Sequence, residues 1–317
     1  RRAVGYRSTM ASLVRRCFHS ATSEARPKLF SATAPPTPEE SAALVAGMPG
    51  LAGQPLPPPR FCDMGWREGQ RFVEADDPDR TALPWTPPSF CLAADPSEQL
   101  ARTTLQELQV PRGSFPGRFA RVVRGALDAD RCAELVASIN DKGFTPALLN
   151  IGGGRQYLAP EVRDGHRVIV DSPELAVWLL EVLRPYLPEE LPDGSRLVEL
   201  NERLRFLCYT PGQSFEEHAD GCYSRPHGHT RAGDRSRVTV QVYLHDVPSK
   251  SGGATTFYPG RSESVAHQPE AGSVMLFSQD LLHEGSVVKA GVKYTLRTEA
   301  MYTRRSDSPE GPRWAAR

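Results

Sequence analysis

The second half of the chain consists of short strand-like segments, and this pattern limits the fold more than any other feature of the sequence. Eight such segments lie between residues 203 and 302, with Gly, Pro, Ser and Asp between them. They are RLRFLCYT, FEEHAD, RVTVQVYLHDV, GATTFYP, ESVAH, SVMLFS, HEGSVV and KYTLRTEAMY. Helical patterns come before these segments and not between them. We therefore predict a mainly β fold with supporting α-helices, a β-sandwich or a jelly-roll barrel preceded by helices.

Composition divides the chain into five regions. Residues 1–40 form a basic leader, 41–117 a Pro-rich arm that we expect to be partly disordered, 118–196 a helical support region, 197–305 the β domain and 306–317 a C-terminal tail. The leader is rich in Arg and Ser and poor in acids, as in organelle transit peptides, and it lacks the apolar core of a secretory signal. These features favour the cytoplasm, a mitochondrion or a plastid over secretion, and a disordered leader without a targeting role is the alternative.

The region before the β domain carries clear helix signals. Asp128 is placed to cap a helix that ends by Gly143, and Ser172 followed by Pro173 is placed to begin a second one. The segments ARVVRGAL and RVIVDS alternate as strands do. The three glycines at 152–154 resemble a phosphate loop but are not followed by G-K-[ST], so a turn is the better interpretation. In the Pro-rich arm, the aromatic side chains of Trp66, Trp85 and Phe90 suggest packing against the domain.

Composition also excludes several classes of protein. The 317 residues are 39% hydrophobic, which is enough for a core, and 38 basic residues balance 38 acidic ones. A neutral chain gives no electrostatic reason to expect nucleic acid as a partner. No apolar run approaches the length of a transmembrane helix. The six cysteines form no C-x-x-C pair, which argues against a disulfide framework or a structural zinc site.

A set of potential metal ligands lies within the strand-rich region. His218 and Asp220 are two residues apart, so at one strand end their side chains point to the same side. His283 lies far enough along the chain to come from a different strand. Two imidazoles and one carboxylate are the ligand set that binds non-haem Fe(II) and leaves positions open for a co-substrate and O₂.

Three motifs around these residues resemble the 2-oxoglutarate- and Fe(II)-dependent dioxygenases, within them the prolyl 4-hydroxylase-like branch. The motifs are Y-T-P-G-Q-S-F-E-E-H-A-D at 209–220, S-G-G-A-T-T-F-Y-P at 251–259 and H-E-G-S-V-V-K-A-G-V-K at 283–293. The resemblance implies a double-stranded β-helix, that is, a jelly roll with Fe(II) at one open end. It also implies that 2-oxoglutarate and O₂ fill the remaining metal positions, with ascorbate as a further cofactor of the branch.

The far carboxylate of 2-oxoglutarate needs a cation if it is buried. Lys293 lies ten residues after His283, where the resemblance places the basic anchor of this branch. Arg297 is the alternative anchor. Lys293, Thr295 and Arg297 share one strand face, so Thr295 and Arg297 are expected to flank the same pocket.

Two tyrosines and three arginines complete the predicted site. Tyr243 resembles the family tyrosine whose hydroxyl supports the 2-oxoglutarate carboxylate, and Tyr209 is a second candidate for the pocket wall. The polar loop at 221–236 is longer than a typical connection and resembles a lid over the substrate. The arginines in this loop that we expect to meet an acidic or peptide substrate are Arg225, Arg231 and Arg235.

The resemblance thus implies hydroxylation of a C–H bond of a peptidyl prolyl or other substrate, with conversion of 2-oxoglutarate to succinate. Retention of Asp220 favours hydroxylation over halogenation, because related halogenases replace this carboxylate. Two alternatives stay open: a non-catalytic metal-binding or protein-interaction module on the same scaffold, and a cupin-type metal enzyme without 2-oxoglutarate. A peptide and a small metabolite are both open as substrates, and the sequence gives no oligomeric state.

Overall fold

A computed structural model describes residues 35–64, 72–74, 82–93, 96–110, 117–152, 155–258 and 263–304. The predicted basic leader lies almost entirely outside the described residues, as do Trp66 and the C-terminal tail. No helix among the described residues is long and apolar enough to cross a bilayer.

Five α-helices and sixteen strands are formed by the described residues. The helices are α1 (Pro38–Val45), α2 (Phe90–Ala93), α3 (Ser97–Ala101), α4 (Ala129–Asn140) and α5 (Pro173–Leu183). The first eight strands are β1 (Phe72–Glu74), β2 (Thr104–Glu107), β3 (Ala120–Arg124), β4 (Thr145–Pro146), β5 (Leu149–Gly152), β6 (Arg155–Tyr157), β7 (His166–Asp171) and β8 (Ser195–Leu200). The remaining strands are β9 (Arg203–Tyr209), β10 (Phe215–His218), β11 (Arg235–Tyr243), β12 (Thr255–Phe257), β13 (Val265–His267), β14 (Val274–Ser278), β15 (His283–Gly285) and β16 (Lys293–Arg304).

Two sheets built from β9 to β16 form the double-stranded β-helix, and the predicted fold class is confirmed. The large sheet has the order β2-β3-β14-β11-β16-β9-β7-β4, with β8 pairing to the far end of β16, and the small sheet has the order β10-β15-β12-β13. Each of the eight predicted segments contains one of these strands. Apart from β12 and β13, consecutive strands from β9 to β16 lie in different sheets. The loops and strand ends at one edge of the barrel can therefore meet in a single site.

The alternation of residues along the central strands explains how the large sheet separates two environments. On β11, Val238, Val240 and Val242 are buried in the main hydrophobic core, which also contains α4 and α5. The residues that alternate with these valines face the small sheet, and the last of them, Tyr243, belongs to a second apolar cluster. On β16, Tyr294 likewise packs in the main core. The side chains that alternate with these apolar residues therefore point into the space between the sheets.

The two predicted helices are confirmed with their caps. The Asp128 side chain accepts the backbone N–H of Arg131 at the start of α4, and the Ser172 hydroxyl oxygen accepts the backbone N–H of Leu175 at the start of α5. Pro173 occupies the first helical position. Each cap satisfies a donor that the first helical turn leaves unpaired. The apolar faces of both helices cover the large sheet.

The Pro-rich arm contributes to the same core. Phe90 is buried there together with Leu44 and Leu56. The indole N–H of Trp85 donates to the Ser138 hydroxyl at 2.7 Å, so the predicted packing of Trp85 and Phe90 is confirmed. Of the predicted glycine-rich turn, Gly152 ends β5, and the other two glycines lie outside the described residues. Strand β8 was not predicted, because its sequence SRLVEL borders the turn residues at 192–194 and has no regular alternation.

Candidate active site

The three predicted metal ligands converge at the edge of the small sheet. His218 and His283 are directly opposite each other on the neighbouring strands β10 and β15. Asp220 lies two residues beyond β10, and its backbone N–H donates to the carbonyl of Gln279 at 2.8 Å. One ligand atom from each of the three residues lies within 4.8 Å of the others. The structure therefore brings the sequence-predicted triad together.

Both imidazoles are oriented by the backbone. The Nδ1–H of His218 donates to the carbonyl of Glu216 at 2.7 Å, and the Nδ1–H of His283 donates to the carbonyl of Leu281 at 2.9 Å. Because a carbonyl only accepts, each ring carries its proton on Nδ1, and the Nε2 lone pair points to the cluster. Burial lowers the pKa of His283 to about 4, which keeps this ring neutral near pH 7. Neutral, oriented imidazoles are what a metal ion requires.

The carboxylate of the triad is held by two further side chains. The Thr239 hydroxyl donates to Oδ2 of Asp220, and the Arg297 guanidinium lies 2.8 Å from Oδ1. Burial alone would raise the pKa of Asp220, but the Arg297 charge, together with the contacts of His218 and His283, outweighs burial and holds this pKa well below its ordinary value. Asp220 is therefore ionised. Since each of its carboxylate oxygens keeps a free lone pair, it is still able to bind a cation. Two imidazoles and this carboxylate fit a divalent metal such as Fe(II).

Aromatic rings surround the two histidines. The Phe215 ring stacks on His218 with ring centroids 3.6 Å apart and an interplanar angle of 18°. Phe277 approaches His283 edge-on at 4.7 Å, and Phe257 lies at 5.9 Å. These rings fix the imidazole planes and keep bulk water from the side of the cluster that faces the barrel interior.

Lys293 lines the same cavity as the triad and is almost completely buried. Its Nζ lies 5.8 Å from the ring centre of Tyr209 and 6.0 Å from that of Tyr243. Among the described residues it has no carboxylate partner, and burial lowers its pKa to about 8. A buried ammonium without a counter-charge is costly unless an anion binds beside it. The position therefore suits the far carboxylate of 2-oxoglutarate.

The other predicted pocket residues differ in whether their polar groups already have a partner in the protein. Arg297, the alternative anchor, is engaged by Asp220, whereas Lys293 has no carboxylate partner among the described residues. Between them on β16, the hydroxyl of Thr295 is buried and finds no partner among the described residues, so it is available to a ligand. The Tyr243 hydroxyl donates to Thr255 at 2.8 Å, and Tyr209 lines the cavity.

The three loop arginines are not among the described residues that line the cavity, so their prediction as substrate contacts receives no support. Arg225 is buried and pairs with Glu199 and Glu202 at 2.5 and 2.6 Å. Arg231 pairs with Asp234 inside the loop at 2.9 Å. Arg235 begins β11 as an exposed residue. The sequence of the loop does not show that Arg225 has acidic partners on β8 and in the following turn, because these residues are distant in sequence.

Thr239 and Arg163 are two further residues of the site that the sequence alone does not identify. Thr239, which binds Asp220, lies on β11, and its position on the cavity face follows from the alternation RVTVQVY. Arg163 lines the cavity from the connection between β6 and β7, outside the motif regions. No spacing rule relates such a connection to the metal ligands, so only the folded chain identifies Arg163.

Comparisons with known proteins give a family match over part of the chain. Residues 204–298 match the family model for the 2OG-Fe(II) oxygenase superfamily. A comparison with the sequences of curated proteins gives no match.

Among solved structures, the chain is similar to a prolyl-4-hydroxylase of Pseudomonas putida, with 17% identity over 69% of this chain and 100% of that one and a TM-score of 0.43. It is similar to a viral collagen prolyl hydroxylase from Paramecium Bursaria Chlorella virus-1, with 20% identity over 60% and 99% and a TM-score of 0.40. A prolyl hydroxylase from Trichoplax adhaerens, in complex with a hypoxia inducible factor peptide fragment, matches with 15% identity over 65% and 86% and a TM-score of 0.42.

The matched segment contains all three members of the His-Asp-His cluster and Lys293. The resemblance that the motifs carry is therefore confirmed for this segment at the level of the superfamily: residues 204–298 match the family model of the 2OG-Fe(II) oxygenases.

Proposed function

We propose that the protein hydroxylates a C–H bond of its substrate while it converts 2-oxoglutarate and O₂ to succinate and CO₂. The observation that carries this proposal is the location of Lys293, a buried cation without a described counter-charge, in the same cavity as the triad. A metal-binding module without catalysis has no need for such a cation, and neither has a metal enzyme that lacks an anionic co-substrate.

Each residue of the cavity has a distinct role in this proposal. His218, Asp220 and His283 hold Fe(II), which with 2-oxoglutarate and O₂ supplies the oxidant. Lys293 binds the far carboxylate of 2-oxoglutarate, and Tyr209 forms the adjacent wall. Because Lys293 offers a point charge and no planar fork, the orientation of the carboxylate depends on its neighbours.

Hydroxyl groups next to Lys293 complete this subsite. The unpartnered hydroxyl of Thr295 is a donor for the carboxylate, and Tyr243 supports it through its contact with Thr255. The aromatic rings at His218 and His283 exclude water from the reacting centre. We propose ascorbate as the reductant that keeps the iron in the ferrous state between turnovers.

For the substrate we propose the class that the motif resemblance implies, a peptidyl prolyl residue or a smaller molecule with an equally unactivated C–H bond. The P. putida, viral and T. adhaerens proteins named above are prolyl hydroxylases. The cavity is lined by residues of β10 and β15, so a side chain or small molecule bound in it lies next to the metal ligands.

Release of succinate from 2-oxoglutarate tests the proposal directly. The purified protein with Fe(II), ascorbate and 2-oxoglutarate is expected to form succinate slowly even without a substrate, and His218→Ala is expected to lose this activity. His227→Ala removes an exposed imidazole from the loop after the triad and serves as the control. Iron binding without any iron-dependent succinate formation in the wild type would favour the non-catalytic module instead.

A further inference from the structure

Arg163 is a second buried cation in the active-site cavity. It lies in the connection between β6 and β7, where its backbone N–H donates to the carbonyl of Ala159 at 2.9 Å. Its backbone also forms a bridge with Phe215, the first residue of β10. Only 8% of the residue is exposed, and its side chain lines the cavity that holds the triad. The position is therefore fixed by the fold and does not depend on a mobile surface arm.

The guanidinium of Arg163 has neighbours but no counter-charge among the described residues. It lies 4.8 Å from the centre of the Phe215 ring, and it is hydrogen-bonded to the hydroxyl of Tyr209. Its Nε is buried and has no hydrogen-bond partner. The nearby charges that act on it, Arg297 and Arg205, are positive, and burial lowers its pKa. An arginine in this setting lacks the carboxylate that buried guanidinium groups normally contact.

The described carboxylates that line the cavity are already engaged. Asp220 is paired with Arg297 at 2.8 Å. Glu284 accepts the hydroxyl of Ser286 at 2.7 Å and is not among the groups that act on Arg163. The chain therefore supplies no described anion for this guanidinium, and the counter-charge must come from a bound molecule.

The co-substrate does not account for Arg163 either. In the proposed function, one carboxylate of 2-oxoglutarate binds Lys293 and the other end binds the metal. The His218 ring covers one face of Phe215, so Arg163 lies over the other face, separated from the metal ligands by an aromatic ring. The guanidinium is thus in the cavity but outside the predicted coordination sphere.

We propose that Arg163 binds a carboxylate of the molecule that is hydroxylated, so that the substrate is a small organic acid such as a free amino acid, and not an uncharged internal segment of a peptide. This inference rests on the proposed function. The planar guanidinium offers two parallel N–H donors that match the geometry of a carboxylate. A carboxylate held there directs the rest of a small molecule past Phe215 towards the metal.

Paramagnetic relaxation tests the site without knowledge of the true substrate. The probe is acetate, and acetamide is its uncharged counterpart; both report through their methyl protons. In protein loaded with Mn(II) and saturated with 2-oxoglutarate, acetate is expected to show enhanced relaxation and acetamide is not. In Arg163→Gln the acetate effect is expected to fall about 30-fold, the order of effect for loss of a buried charged partner, while Arg163→Lys retains part of it.

Arg196→Gln is the matched control, because Arg196 is an exposed arginine paired with Glu190 on the surface. It is expected to behave as the wild type. An acetate effect that is equal in Arg163→Gln, or an acetamide effect as large as that of acetate, would overturn the inference. A tenfold loss of 2-oxoglutarate affinity in Arg163→Gln would also overturn it, since Arg163 would then serve the co-substrate.

Failure of the proposed function gives a different result. If the wild type binds neither Mn(II) nor 2-oxoglutarate, the dioxygenase proposal fails while the carboxylate site can still be measured. Thermal unfolding of the metal-free protein then replaces relaxation: acetate is expected to raise the melting temperature of the wild type more than acetamide does, and Arg163→Gln is expected to abolish the difference. Equal shifts in both proteins would contradict the carboxylate site.

Discussion

On one side of the active-site cavity the buried charge is paired, and on the other side the buried charges have no described partner. On the side of the triad, the Asp220 carboxylate is neutralised by Arg297 and held by Thr239. On the other side, Lys293 and Arg163 have no carboxylate partner among the described residues. All of these charged groups come from elements around the same barrel, so the contrast is not one of depth or solvent access.

This difference separates charges that the fold completes from charges that a ligand must complete. A paired buried charge keeps a metal ligand ionised and in place before any ligand arrives. An unpaired buried cation destabilises the empty protein, and an anion that binds beside it removes this penalty. The first side is therefore built for a cation and the second for anions, and functional sites often sacrifice stability in this way.

The largest effect is expected when the paired side is made to resemble the unpaired one. Asp220→Asn removes the counter-charge of Arg297 and leaves a buried guanidinium. We expect the free energy of unfolding of the metal-free protein to fall by about 3 kcal/mol, as found when one partner of a buried pair is lost. Urea denaturation followed by circular dichroism measures this change.

Glu190→Gln is the control for Asp220→Asn. It breaks the exposed pair of Glu190 with Arg196 and is expected to change the free energy of unfolding by less than about 1 kcal/mol. If Asp220→Asn lowers the free energy of unfolding by no more than this control does, Asp220 does not neutralise a buried Arg297 charge. The two sides of the cavity would then not differ in the pairing of their charges.

The opposite sign is expected on the unpaired side. Lys293→Met keeps most of the side-chain volume and removes the buried charge, so we expect the metal-free protein to gain about 2 kcal/mol of stability at pH 7. Because burial depresses the pKa of Lys293 to about 8 from its ordinary 10.5, this gain is largest below pH 8 and disappears as the pH rises towards 10.5. Denaturation at pH 7 and pH 10 measures it.

The same variant is expected to bind 2-oxoglutarate about 30-fold more weakly while it keeps its affinity for Mn(II), since the charge serves the co-substrate and not the metal. Calorimetric titration with each ligand distinguishes the two effects. Lys289→Met removes an exposed lysine and should alter neither stability nor binding. Unchanged 2-oxoglutarate affinity in Lys293→Met would transfer the role of anchor to Arg297.

The sequence predicted the barrel well because its strands carry local signals. On β11 and β16 the alternation of apolar and polar residues identifies both the strand and the face that lines the cavity. The same alternation placed Lys293, Thr295 and Arg297 on one face. Strand β8 was missed because its pairing with the end of β16 is a tertiary contact that leaves little trace in its own sequence.

The site was predictable only where motif and spacing define it. His218, Asp220 and His283 were recognised from a motif and a family resemblance, and they meet in space. Whether a cation is free or paired cannot be derived in this way, because the partner lies on another element. Arg225, which was expected to meet the substrate, is paired with Glu199 and Glu202. Arg163, which lies outside the motifs, has no described counter-charge.

The smallest effect is expected when pH alone changes the unpaired side. Lys293 is protonated below pH 8 and loses its charge above it, while 2-oxoglutarate remains a dianion throughout this range. The KM for 2-oxoglutarate is therefore expected to be constant from pH 6.5 to about 7.5 and to rise towards tenfold per pH unit above about pH 8.5. Succinate release as a function of 2-oxoglutarate concentration at each pH measures this change in KM.

Lys293→Arg carries a charge that does not titrate in this range, so its KM should stay flat where that of the wild type rises. A rise of the same size in Lys293→Arg would mean that another group titrates, and that the ammonium of Lys293 is not the charge that binds the co-substrate.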